Sequence, residues 1–135
     1  MMSSNYRLLS SEGETIEISA EALQQSITLR PMVEYNMSTE TPIPIGDIDT
    51  ATAKMIVEWC EKHKADPETH DFGMKPVVDI PSWDREFLSR EQLSIPEMFN
   101  LINAADYLEI PALNKYCCKR VLIDYTRDRN IQGRN

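Results

Sequence analysis

The sequence is poor in the residues that enzymes most often use to hold phosphate groups and to move protons. It has four glycines and two histidines in 135 residues, and the glycines are too scattered to form a phosphate-binding loop. A catalytic nucleophile needs a base beside it, and no spacing in the chain supports such a pair. We therefore expect a protein that is not an enzyme and that carries no cofactor.

Cysteine is also scarce. The chain has three cysteines, an odd number that disfavours a disulfide framework, and Cys117 and Cys118 would point about 100° apart on a helix. Cys60 and His63 have a spacing that fits two zinc ligands, but no second pair of ligands stands at a usable spacing. We expect a buried Cys60 beside an exposed His63, and no metal site. Reduced thiols are typical of the cytoplasm and the nucleus, where we expect the protein to work.

Long apolar runs and a positive net charge are absent as well. No stretch approaches the roughly 18 apolar residues of a membrane span, and the first residues lack the apolar centre of a signal peptide. The net charge of −8 and the isoelectric point near 4.7 give a surface that would repel phosphate backbones and anionic lipids. We expect neither nucleic acid nor a membrane as a partner.

The first half of the chain carries signals for a small sheet and short helices. Alternating residues in 6–10 and 14–18 predict a β-hairpin. Ser19 can cap a helix over 20–25, and a second short helix is predicted over 28–35. Residues 43–46 contain a proline that cannot donate to a ladder, so they predict a brief strand at a sheet edge.

The second half reads as a series of helices. A helix over 49–64 is indicated by the apolar spacing of Ala53, Ile56, Val57 and Cys60. Residues 65–81 hold prolines and no periodicity, which is typical of an exposed loop. Ser82 is predicted to cap a helix through Leu88, with Asp84 in the first turn and Trp83 and Phe87 on one face.

Two further helices complete the predicted domain. Ser94 and Glu97 form a capping box that opens a helix to about residue 108, and Pro111 opens the last helix, which is expected to end near Tyr125. Residues 1–125 are thus predicted as one domain, and the polar, basic residues 126–135 as a disordered tail. The helical stripes leave Trp59, Phe99 and Tyr107 pointing elsewhere, and some of these could form an exposed partner site.

With these elements placed, specific stretches resemble a known family. The stretches WCEKHK at 59–64, IPSWDREFL at 80–88 and AADYLEI at 104–110 are similar to the S-phase-kinase-associated adaptor family of the SCF ubiquitin ligases. The likeness is ordered and covers residues 6 to about 125. It implies an α+β, BTB/POZ-type fold with a small N-terminal sheet and a helix-dominated C-terminal half.

The resemblance also implies a function and its residues. Members are non-catalytic adaptors that bridge the N-terminal domain of a cullin to F-box substrate receptors, which leads to protein ubiquitination and degradation. The implied cullin-binding residues are Pro44, Ile45, Asp106 and Tyr107, and the implied F-box-binding residues are Leu113, Tyr116, Cys117 and Val121. Asp106 replaces the asparagine of the family pattern with a carboxylate that cannot donate a hydrogen bond. Buried without a partner, it would weaken cullin binding by about 1–3 kcal/mol.

The end of the sequence leaves alternatives open. Family members continue into further helices that clasp the F-box, and residues 127–135 do not match them, so reduced F-box affinity is expected. One alternative is therefore a shortened paralogue that binds cullin without F-box proteins, as a competitor or as an elongin-C-like adaptor. Another alternative is a self-associating BTB scaffold that binds no cullin.

Overall fold

The computed structural model describes residues 5–65, 80–89 and 93–132, so most of the predicted loop at 65–81 lies outside the described residues. The described chain has the predicted α+β architecture, with one small sheet followed mainly by helices. Its elements are, in order, β1 (Asn5–Leu9), β2 (Thr15–Ser19), α1 (Ala20–Leu23), α2 (Arg30–Glu34), β3 (Ile43–Pro44), α3 (Thr50–His63), α4 (Ser82–Leu88), α5 (Ile95–Tyr107) and α6 (Pro111–Gln132).

The sheet forms as the hairpin and edge-strand signals predict. β1 and β2 pair antiparallel, and Gly13 in their turn has a φ of +83°, which a glycine adopts without strain. β3 pairs in parallel with the other side of β1, so the strand order is β2-β1-β3 and Pro44 sits on an edge. An edge strand can hold a proline because one of its sides needs no ladder hydrogen bonds.

The short helices and α3 begin where polar caps stand. The Ser19 side chain accepts a hydrogen bond from the Ala22 backbone N–H, and the Asp49 carboxylate accepts one from Thr52. The predicted stripe of α3 is buried in the core. Each cap satisfies a backbone donor that the first turn leaves unpaired. The start of the first short helix could therefore be predicted from Ser19, whereas α3 was predicted from its apolar spacing.

The contact between α3 and α4 corrects three expectations. Trp59 is buried rather than exposed, and its Nε1 donates a 2.6 Å hydrogen bond to Oδ1 of Asp84. His63 Nε2 lies 3.0 Å from the same oxygen, and the His63 ring stacks on Trp59, so His63 is largely covered rather than exposed. Pro81, not Ser82, is the N-cap residue of α4. Trp83 and Phe87 do stack on one face, as predicted.

The hydrogen bond of Trp59 should matter for stability because Asp84 is only 1% exposed. Among the described residues, none bonds to the second carboxylate oxygen of Asp84, Oδ2, so the buried group depends on the two contacts at Oδ1. Trp59→Phe removes the donor and is expected to lower the free energy of unfolding by about 1–3 kcal/mol beyond the loss of ring volume. Urea unfolding followed by circular dichroism measures this.

The matched control is Trp83→Phe, because Trp83 is only partly buried and makes no hydrogen bond to Asp84 in the described part of the chain. An equal loss of stability in both variants would contradict a special role for the Trp59 hydrogen bond.

The last two helices show one confirmed start and one wrong end. Ser94 and Glu97 form the predicted capping box of α5. α6 begins at Pro111 but continues to Gln132, so residues 126–132 are helical rather than a disordered tail, and residues 133–135 lie outside the described residues. Helix propagation adds one hydrogen bond for each residue fixed, so a helix can outlast its apolar stripe. In the part of the chain that the structure describes, no helix is long and apolar enough to cross a membrane.

Candidate functional site

The two buried cysteines, Cys60 and Cys117, do not form a reactive centre. Burial raises the pKa of the Cys60 thiol well above its ordinary range and that of the Cys117 thiol to about 12. The thiolate is the form that attacks electrophiles and binds metals, so both residues stay inert near neutral pH. Within residues 5–65, 80–89 and 93–132, no three or more histidine, cysteine or acidic side chains are grouped to hold a metal ion. The functional surface has to be sought elsewhere.

A polar recess of about 540 Å³ lies between the loop after β3 and the outer face of α5. Tyr107, the last residue of α5, is 58% exposed at this recess. The groups that give the polar recess its character are Gly46, Asp47, Asp49, Asn100, Asn103 and Tyr107. Carboxylates, amides and one aromatic ring thus meet at an accessible surface.

Three of the four residues implied for cullin binding are exposed in this region. Asp106 and Tyr107 are exposed at the end of α5, and Pro44 is exposed on β3. Ile45 is buried in the core, so its side chain cannot contact a partner. Its role here is to hold the loop in place, since its backbone N–H donates a 3.1 Å hydrogen bond to Leu9.

The far side of the same loop is also fixed. The backbone N–H of Ser11 donates a 2.8 Å hydrogen bond to the carbonyl of Ile48, and the Ile48 side chain is buried. Asp49 then caps α3, and its hydrogen bonds from Thr52 hold the pKa of its carboxyl below the ordinary value. Asp49 therefore stays charged at neutral pH and adds to the negative potential of the polar recess.

A second surface, the apolar recess, has a volume of about 230 Å³ and lies where the end of α4, the start of α5 and the middle of α6 meet. Phe99 is 48% exposed there, although it is a large apolar side chain. The apolar side chains of this recess are Leu88, Leu93, Ile95, Met98, Phe99 and Val121. Arg120 and Asp124 stand at its edge and form a 3.5 Å ion pair.

Only one of the four residues implied for F-box binding lines the apolar recess. That residue is Val121, while Tyr116 is half-buried nearby on α6. Leu113 and Cys117 are fully buried in the core, so they support the surface from below and cannot touch a partner in this conformation.

The sequence reasoning missed most of the apolar recess. The signal in the sequence is the position of Phe99, which lies off the buried apolar stripe of α5 and is therefore a candidate for exposure. Phe99 and Tyr107 are indeed exposed, but they belong to different recesses, and Trp59 is in the core. The three aromatic residues therefore do not form one patch.

Comparisons with known proteins agree on one protein family. The family model described as "Skp1 family, tetramerisation domain" matches residues 5–65. The chain is 36% identical over 118 residues to the E3 ubiquitin ligase complex SCF subunit sconC of Arthroderma benhamiae. This alignment covers 84% of this chain and 70% of the relative. It is 32% identical over 123 residues to the sconC subunit of Talaromyces stipitatus, with 89% of this chain and 75% of the relative covered.

Proposed function

Because this chain belongs to the Skp1 family, we propose that it is the non-catalytic adaptor subunit of an SCF-type ubiquitin ligase. Its two partners are the N-terminal domain of a cullin and the F-box of a substrate receptor. The chain does no chemistry on the substrate in this role, and it acts by holding the two partners in one complex. Free thiols at Cys60, Cys117 and Cys118 fit work in the cytoplasm and the nucleus.

The observation that carries the proposal is that α5 presents two accessible recesses that have no lining residue in common. Phe99 in the apolar recess and Tyr107 in the polar recess are eight positions apart, which places them roughly 12 Å apart along the helix and about 80° apart around it. Two partners can therefore contact the same rigid helix without competing for a side chain. That arrangement is what a bridging subunit requires.

The apolar recess suits the F-box partner. Helices that dock on a protein surface do so through an apolar face laid into an apolar groove. Phe99 and Val121 offer such a groove, and exposed Leu122 and Ile123 extend the apolar surface of α6. An adaptor that binds cullin alone would leave this exposed apolar surface without a use, so these residues favour the bridging role over that alternative.

The polar recess suits the cullin partner. Tyr107 combines a large ring with a hydroxyl, a combination that is common among residues that dominate interface energies. The carboxylates of Asp47, Asp49 and Asp106 surround this end of α5 with negative charge. The matching partner surface is therefore basic around a pocket for the tyrosine ring.

This charge predicts a salt effect on cullin binding. Raising sodium chloride from about 50 mM to about 500 mM is expected to slow association with a cullin N-terminal domain by about tenfold, because salt screens attraction between exposed charges. The dissociation rate should change less, since it depends on contacts within the interface. Stopped-flow fluorescence measures both rates, and association rates that do not depend on salt would contradict a basic partner surface.

The proposal as a whole is tested by direct binding. The purified chain is titrated by calorimetry with a cullin N-terminal domain and, separately, with an F-box peptide. Binding to both is expected. Cullin binding alone would support the competitor alternative, and a stable homodimer that binds neither would support the self-associating scaffold.

A further inference from the structure

Gly46 and Tyr107 lie so close together that a Cβ at position 46 would be crowded. Gly46 has a φ of +67°, a backbone conformation that residues with a Cβ rarely adopt. A Cβ placed on Gly46 would lie 3.2 Å from the Tyr107 Oη, 3.3 Å from Cζ and 3.6 Å from Cε2. The edge of the tyrosine ring thus rests on the bare backbone of the loop after β3.

The backbone is held in place on both sides of this contact. The loop is held on one side of Gly46 by buried Ile45 and on the other by buried Ile48, each with a backbone hydrogen bond to the hairpin. The end of α5 is held as well, because the Leu108 carbonyl accepts a hydrogen bond from the Ser26 hydroxyl and the Glu109 carbonyl accepts one from the Ile27 backbone. A side chain at position 46 would therefore have to be accommodated by the Tyr107 ring.

The ring has little else to orient it. Its exposed fraction of 58% means that more than half of its surface faces solvent. Among the described residues, no group hydrogen-bonds to the Tyr107 hydroxyl, although the Tyr107 carbonyl accepts a bond from Thr28. Because the backbone on both sides is held, a Cβ at position 46 would push the exposed tip of the ring aside by a few tenths of an ångström.

We propose that Gly46 is a positioning residue for the cullin interface, because its bare backbone sets the position of the Tyr107 ring before the partner arrives. This proposal rests on the proposed function. It adds a residue that affects cullin affinity without contacting the cullin through a side chain. A preset ring loses less rotamer entropy on binding, and such losses commonly weaken interfaces built on mobile side chains. Replacing Gly46 should therefore weaken binding even though no partner-contacting side chain is removed.

The test compares Gly46→Ala with Gly13→Ala. Both glycines have positive φ, so both substitutions strain the backbone, but a Cβ on Gly13 meets nothing within 4 Å. The proteins are labelled with 3-fluorotyrosine, and the ¹⁹F resonance of Tyr107 is assigned from its loss in Tyr107→Phe. Affinity for a cullin N-terminal domain is measured in parallel, and thermal unfolding shows that both variants fold.

Gly46→Ala is expected to move the Tyr107 resonance and to weaken cullin binding by about tenfold, while Gly13→Ala changes neither. In a Tyr107→Ala background, Gly46→Ala should weaken binding no further, because its effect passes through the ring. An unmoved resonance, an unchanged affinity, or an additive effect in the double variant would each overturn the positioning role. Failure of the unsubstituted chain to bind cullin would instead refute the proposed function, and the resonance alone would then decide the positioning of the ring.

Discussion

Phe99→Ala is expected to weaken binding of an F-box peptide by about thirtyfold, which corresponds to about 2 kcal/mol. Phe99 lines the apolar recess and is 48% exposed in the free protein, so a docked apolar helix would bury the rest of its ring. Aromatic residues at the centre of an interface commonly contribute binding energy of this size. Isothermal titration calorimetry with the peptide measures the loss.

The matched control for this experiment is Tyr35→Ala. Tyr35 is an aromatic residue at the end of α2 that is 76% exposed and lies in neither recess. Thermal unfolding checks that both variants fold, which is expected because neither side chain belongs to the buried core. Equal peptide affinity in Phe99→Ala and Tyr35→Ala would show that the F-box does not use the apolar recess.

Tyr107→Ala is expected to weaken binding to a cullin N-terminal domain by at least about thirtyfold and to leave F-box affinity unchanged. The ring is the largest exposed side chain of the polar recess, and it is set against the backbone at Gly46 before binding. Surface plasmon resonance with immobilised cullin measures the affinity and shows whether the loss lies in the dissociation rate, as most interface losses do.

Tyr107→Phe separates the ring from its hydroxyl. It keeps the contact with Gly46 through the ring carbons and removes only the oxygen, so a smaller loss is expected than for Tyr107→Ala. Unaltered cullin affinity in Tyr107→Ala would contradict the placement of the cullin interface at this end of α5. A parallel loss of F-box affinity would contradict the independence of the two recesses.

The parts of the fold that could be predicted are those set by neighbouring residues. The hairpin turn at Gly13, the cap at Ser19 and the capping box at Ser94 each act within a few positions, and each appears where the sequence predicts it. The edge position of β3 followed from one property of Pro44, its missing backbone donor. These signals need no knowledge of the tertiary structure.

The predictions that were wrong have two causes, a contact between distant residues at Trp59 and the propagation of a helix at the end of α6. Trp59 lies off the apolar stripe of α3, yet it is buried because Asp84, on another helix, accepts a hydrogen bond from its indole. The helix α6 extends beyond its predicted end near Tyr125, because its backbone hydrogen bonds continue after the apolar stripe fades. Neither effect leaves a local pattern in the sequence.

The candidate site shows the same division. Tyr107 and Asp106 could be identified by resemblance, and the structure places both on the surface. The resemblance implies that Leu113 and Cys117 bind the F-box, but the side of α6 on which each residue lies depends on how the helix packs, and both face the core. The contact between Gly46 and Tyr107 joins two segments far apart in the chain, so it could be found only from the structure.

In the proposed function, one chain holds a cullin and an F-box receptor at the same time through separate recesses. The most direct test measures F-box peptide affinity for the free chain and for the chain saturated with a cullin N-terminal domain. Simultaneous binding predicts a ternary complex and affinities that agree within about twofold, since separate sites without a shared conformational change have little coupling energy. Displacement of cullin by the peptide, or loss of peptide binding in the cullin complex, would contradict it.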